Sequence, residues 1–226
     1  MGLALQNTLS AIQNALKFDL YAIEIDVRLT NDGRMVLLHD KTTHKVSKTK
    51  INIHEVSYAE LTNITLHNGE HIPTVEEVFQ LVGNQVPLMI DLKDSGLSGP
   101  LLQLLDKYPE VQVFFSGRQY EDLKKLHKAR PDIPFLLQHH YDPIDIIHNA
   151  HQMEAHGICI NMWLMNPWTY RLAKERNLEV VVYSVNSRWL LRFFQKFYPE
   201  AIIITNHPMR LLDKRHLGKH VSSKQQ

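Results

Sequence analysis

Residues 86–92, Val-Pro-Leu-Met-Ile-Asp-Leu, followed at 98–107 by Ser-Gly-Pro-Leu-Leu-Gln-Leu-Leu-Asp-Lys, form the unit that decides the fold. The first run is apolar and of strand length, whereas the second spaces its leucines for one face of a helix. Similar apolar runs occur at 21–28 (YAIEIDVR), 111–116 (VQVFFS), 133–138 (IPFLLQ), 157–161 (GICIN), 178–184 (LEVVVYS) and 201–205 (AIIIT). Amphipathic stretches at 74–82, 98–107, 119–129, 143–155, 167–176 and 187–197 separate most of them. Near-continuous apolar strands alternating with helices predict a parallel sheet covered by helices. These seven strands are one short of the eight of a TIM barrel. The chain opens instead on a predicted helix, 6–17, with Leu9, Ile12 and Leu16 on one face. The expected architecture is therefore an α/β TIM (β/α) barrel whose first strand is missing.

Composition narrows the class further. The chain has 226 residues, 44% of them hydrophobic and 22% charged, which excludes a disordered chain, a collagen-like repeat or a coiled coil. Lys plus Arg number 25 against 24 Asp plus Glu, a net charge of +1, which argues against a nucleic-acid partner. The single cysteine, Cys159, can form no internal disulfide. No apolar run approaches the ~20 residues of a membrane span, and Met1–Gln6 lacks the pattern of a signal peptide. A cytoplasmic protein is expected. One barrel domain over 1–213 and a basic, flexible tail over 214–226 are the expected organisation.

The stretch 24–40 breaks the alternation. Asp32-Gly33 between two β-rich runs predicts a two-residue hairpin turn after the first barrel strand. In that register Asn31 pairs with Arg34, and Asp26 lies across from His39 with Glu24 on the same face. Two ionised carboxylates side by side need a compensating cation. Salt bridges to Arg28 or Arg34 are one way to supply it. A second polar pair, Asp91 and Lys93, interrupts the apolar run 88–94 with the same two-residue spacing. In a parallel barrel, such residues near strand C-terminal ends converge on the mouth. Glu24, Asp26 and Asp91 together suit a hard divalent ion, Mg²⁺ or Ca²⁺. Lys93 beside that ion suits a substrate phosphate. His39 suits general acid/base work. Phosphoester chemistry follows from this combination, with a set of core ion pairs as the alternative.

In order along the chain stand Leu5-Gln6-Asn7-Thr8-Leu9, Glu24-Ile25-Asp26-Val27, Thr30-Asn31-Asp32-Gly33 and Val36-Leu37-Leu38-His39-Asp40. Ile72-Pro73-Thr74-Val75-Glu76-Glu77-Val78, Ile90-Asp91-Leu92-Lys93, Tyr183-Ser184-Val185-Asn186 and Ile202-Ile203-Ile204-Thr205-Asn206-His207-Pro208 follow. Over about residues 3–212 this series resembles the glycerophosphodiester phosphodiesterases, of the phospholipase-C-like phosphodiesterase superfamily. The resemblance implies a barrel enzyme hydrolysing a small glycerophosphodiester to an alcohol and glycerol 3-phosphate. It implies a divalent ion on Glu24, Asp26 and Asp91, His39 as one of two catalytic histidines, Lys93 near the phosphate, and Tyr183 as a wall of the glycerol pocket.

Departures from the family pattern qualify what is expected. Its His-Arg-Gly motif, with a second histidine and the first strand, is not found in the 226 residues. Gln6 replaces a glutamate, Asp91 replaces the third metal-ligand glutamate, and Asn206 replaces an aspartate. A degenerate member that binds metal or phosphodiester without efficient turnover is the alternative, as is an assembly or binding module. The barrel edges left open by a missing strand would allow a homo-oligomer.

Other candidates read more blandly. His127, His148, His151 and His156 fall on helices and are expected at the surface, while His139-His140-Tyr141-Asp142 follows a strand and could face the mouth. His44, His54, His67 and His71 follow the hairpin, where one could approach the site. Trp163 and Trp168 read as packing residues of the loop after 157–161, with substrate contact as the alternative. Thr74 and Glu77 form a capping box.

Overall fold

The computed structural model describes residues 4–138 and 142–208. Eight strands form one curled sheet: β1 (Ile23–Leu29), β2 (Met35–Leu37), β3 (Leu88–Leu92), β4 (Val113–Gly117), β5 (Phe135–Gln138), β6 (Gly157–Asn161), β7 (Glu179–Tyr183) and β8 (Ile202–Ile203). Their order is β2-β1-β3-β4-β5-β6-β7-β8, parallel throughout except for the antiparallel β1–β2 pair. The principal helices are α1 (Leu9–Ala15), α2 (Tyr58–Leu61), α3 (Val75–Val82), α4 (Ser98–Lys107), α5 (Tyr120–Ala129), α6 (Pro143–Gln152), α7 (Pro167–Glu175) and α8 (Arg188–Phe197).

The alternation of side chains along each strand separates two cores. Ile25, Val27, Ile90, Phe115, Leu137, Ile158 and Val182 point outward and are buried beneath the helices. Met89, Leu136, Cys159 and Val181 point inward and form the floor of the concave side. Local signals place the elements. Thr74 accepts from the Glu77 N–H and Glu77 reaches back to the Thr74 N–H, a complete capping box at the start of α3. Thr8 caps α1 through the Ala11 N–H, so the predicted helix 6–17 shortens to 9–15.

The register of β1 and β2 differs from the predicted one. Val27 pairs with Leu37 and Leu29 with Met35, and the Leu38 N–H donates to the Asp26 carbonyl, so Asp26 does not lie across from His39. Gly33 takes φ 77°, and the Thr30 N–H donates to the Arg34 carbonyl. The connection is a three-residue loop, Asn31-Asp32-Gly33, closed by a left-handed glycine, which shifts every pair by one residue.

Of the sequence candidates, His139, His140, Tyr141 and the 214–226 tail lie outside the described residues. Cys159 is buried in the concave floor. His127 is half-buried rather than on the surface, its ring centre 5.0 Å from that of Phe135. Trp163, in the loop after β6, and Trp168, in the first turn of α7, are both exposed.

Candidate active site

Strand pairing assembles the acidic group. Asp26 stands beside Asp91 in the β1–β3 ladder, and Glu24 stands one inward-facing position earlier on β1. One carboxylate oxygen from each of Glu24, Asp26 and Asp91 lies within 4.8 Å of the others. The Asp26 and Asp91 side chains are buried, and Glu24 keeps partial access through a cavity of about 260 Å³ between β1, α1 and β8.

Lys93 supplies the compensating cation. Its Nζ lies 2.9 Å from Asp26 Oδ1 and 2.5 Å from Asp91 Oδ2, with only 14% of its side chain exposed. Neither Arg28 nor Arg34 fills that place, because Arg28 pairs with Asp94 at 2.6 Å. Burial works against the Lys93 charge, but the two carboxylates outweigh it and hold the ammonium more firmly protonated than a free lysine. Asp91 Oδ1 remains buried with no hydrogen-bond partner. An all-oxygen donor set with a buried, unsatisfied carboxylate oxygen fits a hard divalent cation.

Asn7 and Ser116 belong to the same region and carried no role in the sequence reading. Asn7 adopts φ 58°, in the left-handed region that asparagine tolerates. From there its Nδ2 donates to Asp26 Oδ2 at 2.7 Å and its Oδ1 accepts from the Asp26 N–H at 3.1 Å. The Asn7 side chain therefore fixes the orientation of the Asp26 carboxylate. Ser116 follows Asp91 across the β3–β4 ladder, and its Oγ is buried with no hydrogen-bond partner. Asn7 could have been noticed as the polar residue just before a helix cap. Ser116 has no distinguishing signal in the sequence.

His39 follows β2 at the rim, with about half of its side chain exposed. Its Nδ1 lies 2.9 Å from Asp40 Oδ1, and Lys45 holds the other Asp40 oxygen at 2.7 Å. Its backbone carbonyl accepts from Arg28 Nε and Nη2 at 3.1 and 2.8 Å. The Arg28–Asp94 pair thus anchors the histidine, and Asp94 also lies 3.3 Å from His54 Nε2. His39 lines one small cavity with Gln6 and Asn7, which connects it to Asp26. His71 instead pairs with Glu77, and His44 with Thr42. Tyr183 ends β7 on the concave side, packed against the floor residues, and burial pushes its hydroxyl up to about 12.

Burial raises the Glu24 carboxyl well above its ordinary value, and the charges of Asp26 and Asp91 add to this. Asp91 is also raised, by burial first, with Lys93 pulling the other way. Both groups hold protons more tightly in the folded chain than in the unfolded one. Their contribution to stability is therefore full below the ordinary carboxylate range of about 4 and is lost as pH rises through the raised values. In EDTA, the melting temperature is expected to fall with rising pH above about 4 more steeply for the wild type than for Glu24→Gln. Melting curves across that range would contradict this if the two proteins show the same slope.

Comparison with known proteins supplies the lineage. The sequence model of the glycerophosphoryl diester phosphodiesterase family matches residues 2–210. A glycerophosphodiester phosphodiesterase of Caldanaerobacter subterraneus subsp. tengcongensis is 27% identical over 222 residues, 92% of this chain and 91% of the relative. Human lysophospholipase D GDPD1 is 28% identical over 149 residues, 59% of this chain and 47% of the human protein. Among solved structures, an Oleispira antarctica phosphodiesterase in complex with the product sn-glycerol-3-phosphate superposes with a TM-score of 0.85 at 20% identity, covering 92% of this chain and 90% of that one. A Thermotoga maritima glycerophosphodiester phosphodiesterase gives 0.75 at 19% identity, covering 89% and 88%. These likenesses establish the TIM-barrel type of fold. With the family match spanning nearly its whole length, the chain belongs to the glycerophosphoryl diester phosphodiesterase family.

Proposed function

We propose that this chain hydrolyses glycerophosphodiesters to an alcohol and glycerol 3-phosphate by metal-assisted general acid/base catalysis. The observation that carries the reading is the convergence of Glu24, Asp26 and Asp91 around one point, with Lys93 among them. Those three carboxylates would hold Mg²⁺ or Ca²⁺, and the bound ion would polarise the phosphoryl oxygens. Asn7 keeps the Asp26 oxygens turned toward that point. Lys93 carries a cation two residues beyond Asp91, in reach of a phosphate that enters beside the carboxylates. His39 holds a titratable ring nitrogen at the accessible rim, where a proton passes to or from the leaving alcohol or the attacking water. Tyr183 offers an aromatic wall for the glycerol, a role supported by its place at the end of β7.

Product analysis tests the direction of cleavage. With glycerophosphocholine and a divalent salt, glycerol 3-phosphate and choline are expected in equal amounts. Phosphocholine and glycerol instead would contradict the assignment.

One observation favours a second reading, a binding or assembly role. The apolar cavity between β1 and β8 is lined by Ile23, Ile25, Ile202 and Ile203, and β8 pairs only with β7 among the described strands. Such an edge accepts a further strand, from a second copy of the chain or elsewhere. This reading replaces the first if the chain binds the diester and metal but yields no product.

A further inference from the structure

The chain's three tryptophans take no part in the proposed chemistry, and all stand at one end of the sheet. Trp163 lies two residues past β6, Trp168 is in the first turn of α7, and Trp189 is in the first turn of α8. These positions follow the C-terminal ends of β6 and β7, the same end of the sheet as Asp91 and Lys93. Their exposures are 79%, 54% and 71%. Three large aromatic rings left in water at one rim call for a partner.

Helix α8 extends the pattern. Phe194 turns inward and is buried, while Trp189, Phe193 and Phe197 follow each other at four-residue spacing on an outer flank. Their rings stack along the helix, with centres 6.0 Å apart for Trp189–Phe193 and 4.8 Å for Phe193–Phe197. Arg188, Arg192 and Lys196 precede those rings by one residue each and form a parallel basic row. The helix carries no carboxylate over 188–197, and Lys196 Nζ lies 5.5 Å from the Phe197 ring centre. Tyr170, in the first half of α7, packs against Tyr198, just past the end of α8, so α8 begins farther toward the mouth than α7 does.

We propose that this face docks onto an anionic lipid bilayer, with the outer flank of α8 lying in the interface. Aromatic rings beside cations are what an interfacial helix presents, the rings at the acyl boundary and the cations at the headgroups. Arg192 and Lys196 beside the rings select an anionic surface over a zwitterionic one. The surface contact is separate from a membrane span: among the described residues no helix is long and apolar enough to cross a membrane. Docking also stands independently of turnover, because none of these residues touches the acidic cluster's named partners.

The test is co-sedimentation of the full chain with vesicles of phosphatidylcholine alone or with about 30% phosphatidylserine, at low and high salt, while tryptophan emission is followed. Binding to the anionic vesicles with a blue-shifted emission is expected, weakened by salt. Arg192→Gln/Lys196→Gln is expected to lower partitioning by about 30-fold through two lost headgroup charges. Trp189→Ala/Phe193→Ala, with unchanged circular dichroism, is expected to lower it by about 10-fold or more. Hydrolysis of a water-soluble diester stays unchanged in Arg192→Gln/Lys196→Gln. Absence of vesicle binding, or equal binding to both vesicle types, overturns the proposal. A concentration-dependent dimer that buries the tryptophans without lipid also overturns it, by assigning the face to a second copy.

Discussion

Replacing His39 with alanine is expected to lower glycerol 3-phosphate release by about 10²–10⁴-fold, the usual contribution of one proton-transfer group. The fold should tolerate the change, because half of the side chain is exposed and, among the described residues, its ring hydrogen-bonds to Asp40. Arg28 binds the residue 39 carbonyl rather than the ring, so the rim keeps its backbone position in the variant. Divalent binding should persist as well, since the three clustered carboxylates do not include His39. Turnover within a few-fold of wild type would remove His39 from the proton-transfer role. Loss of metal binding in the variant would instead make it a ligand.

Lys93→Met should have the largest effect on stability. The ammonium sits between two buried carboxylates, and an apolar side chain of similar length fills the space without neutralising them. Leaving a buried ion pair with one partner removed typically costs about 3–5 kcal/mol. Denaturant melts in EDTA read that loss. A divalent ion can replace the missing charge, so Mg²⁺ or Ca²⁺ should restore more stability to the variant than it adds to the wild type. If the metal stabilises both proteins equally, Lys93 does not share the charge balance of the cation site. If Lys93→Met is as stable as wild type in EDTA, the carboxylates are not charged there.

Much of this arrangement was legible from residue order. The stretch 98–107 is α4 and 157–161 is β6, residue for residue, because the apolar pattern is clear at both places. The two-residue spacings Glu24–Asp26 and Asp91–Lys93 brought the four charges to one face, as strand geometry requires. The hairpin register was not legible, because Asn31-Asp32-Gly33 suits a two- or a three-residue turn, and Gly33 decides between them by its left-handed conformation. Strand pairing sets a side chain's face but not its contacts. Lys93 was expected beside the carboxylates, but its hold on both Asp26 and Asp91 was not specified, and Asn7 was not foreseen as the clamp on Asp26. Exposure of Trp163 and Trp168 depends on what the neighbouring loops leave uncovered, which no local pattern encodes.

Calorimetric titration of the purified chain with Mg²⁺ and with Ca²⁺ addresses the acidic cluster most directly. One ion per chain is expected for at least one of the two metals, bound more weakly as pH falls, because the raised Glu24 and Asp91 carboxyls must lose their protons first. Glu24→Gln and Asp91→Asn should each weaken that binding by about 10-fold or more. A wild-type chain that binds neither ion, or variants that bind as well as the wild type, would contradict a divalent centre at Glu24, Asp26 and Asp91.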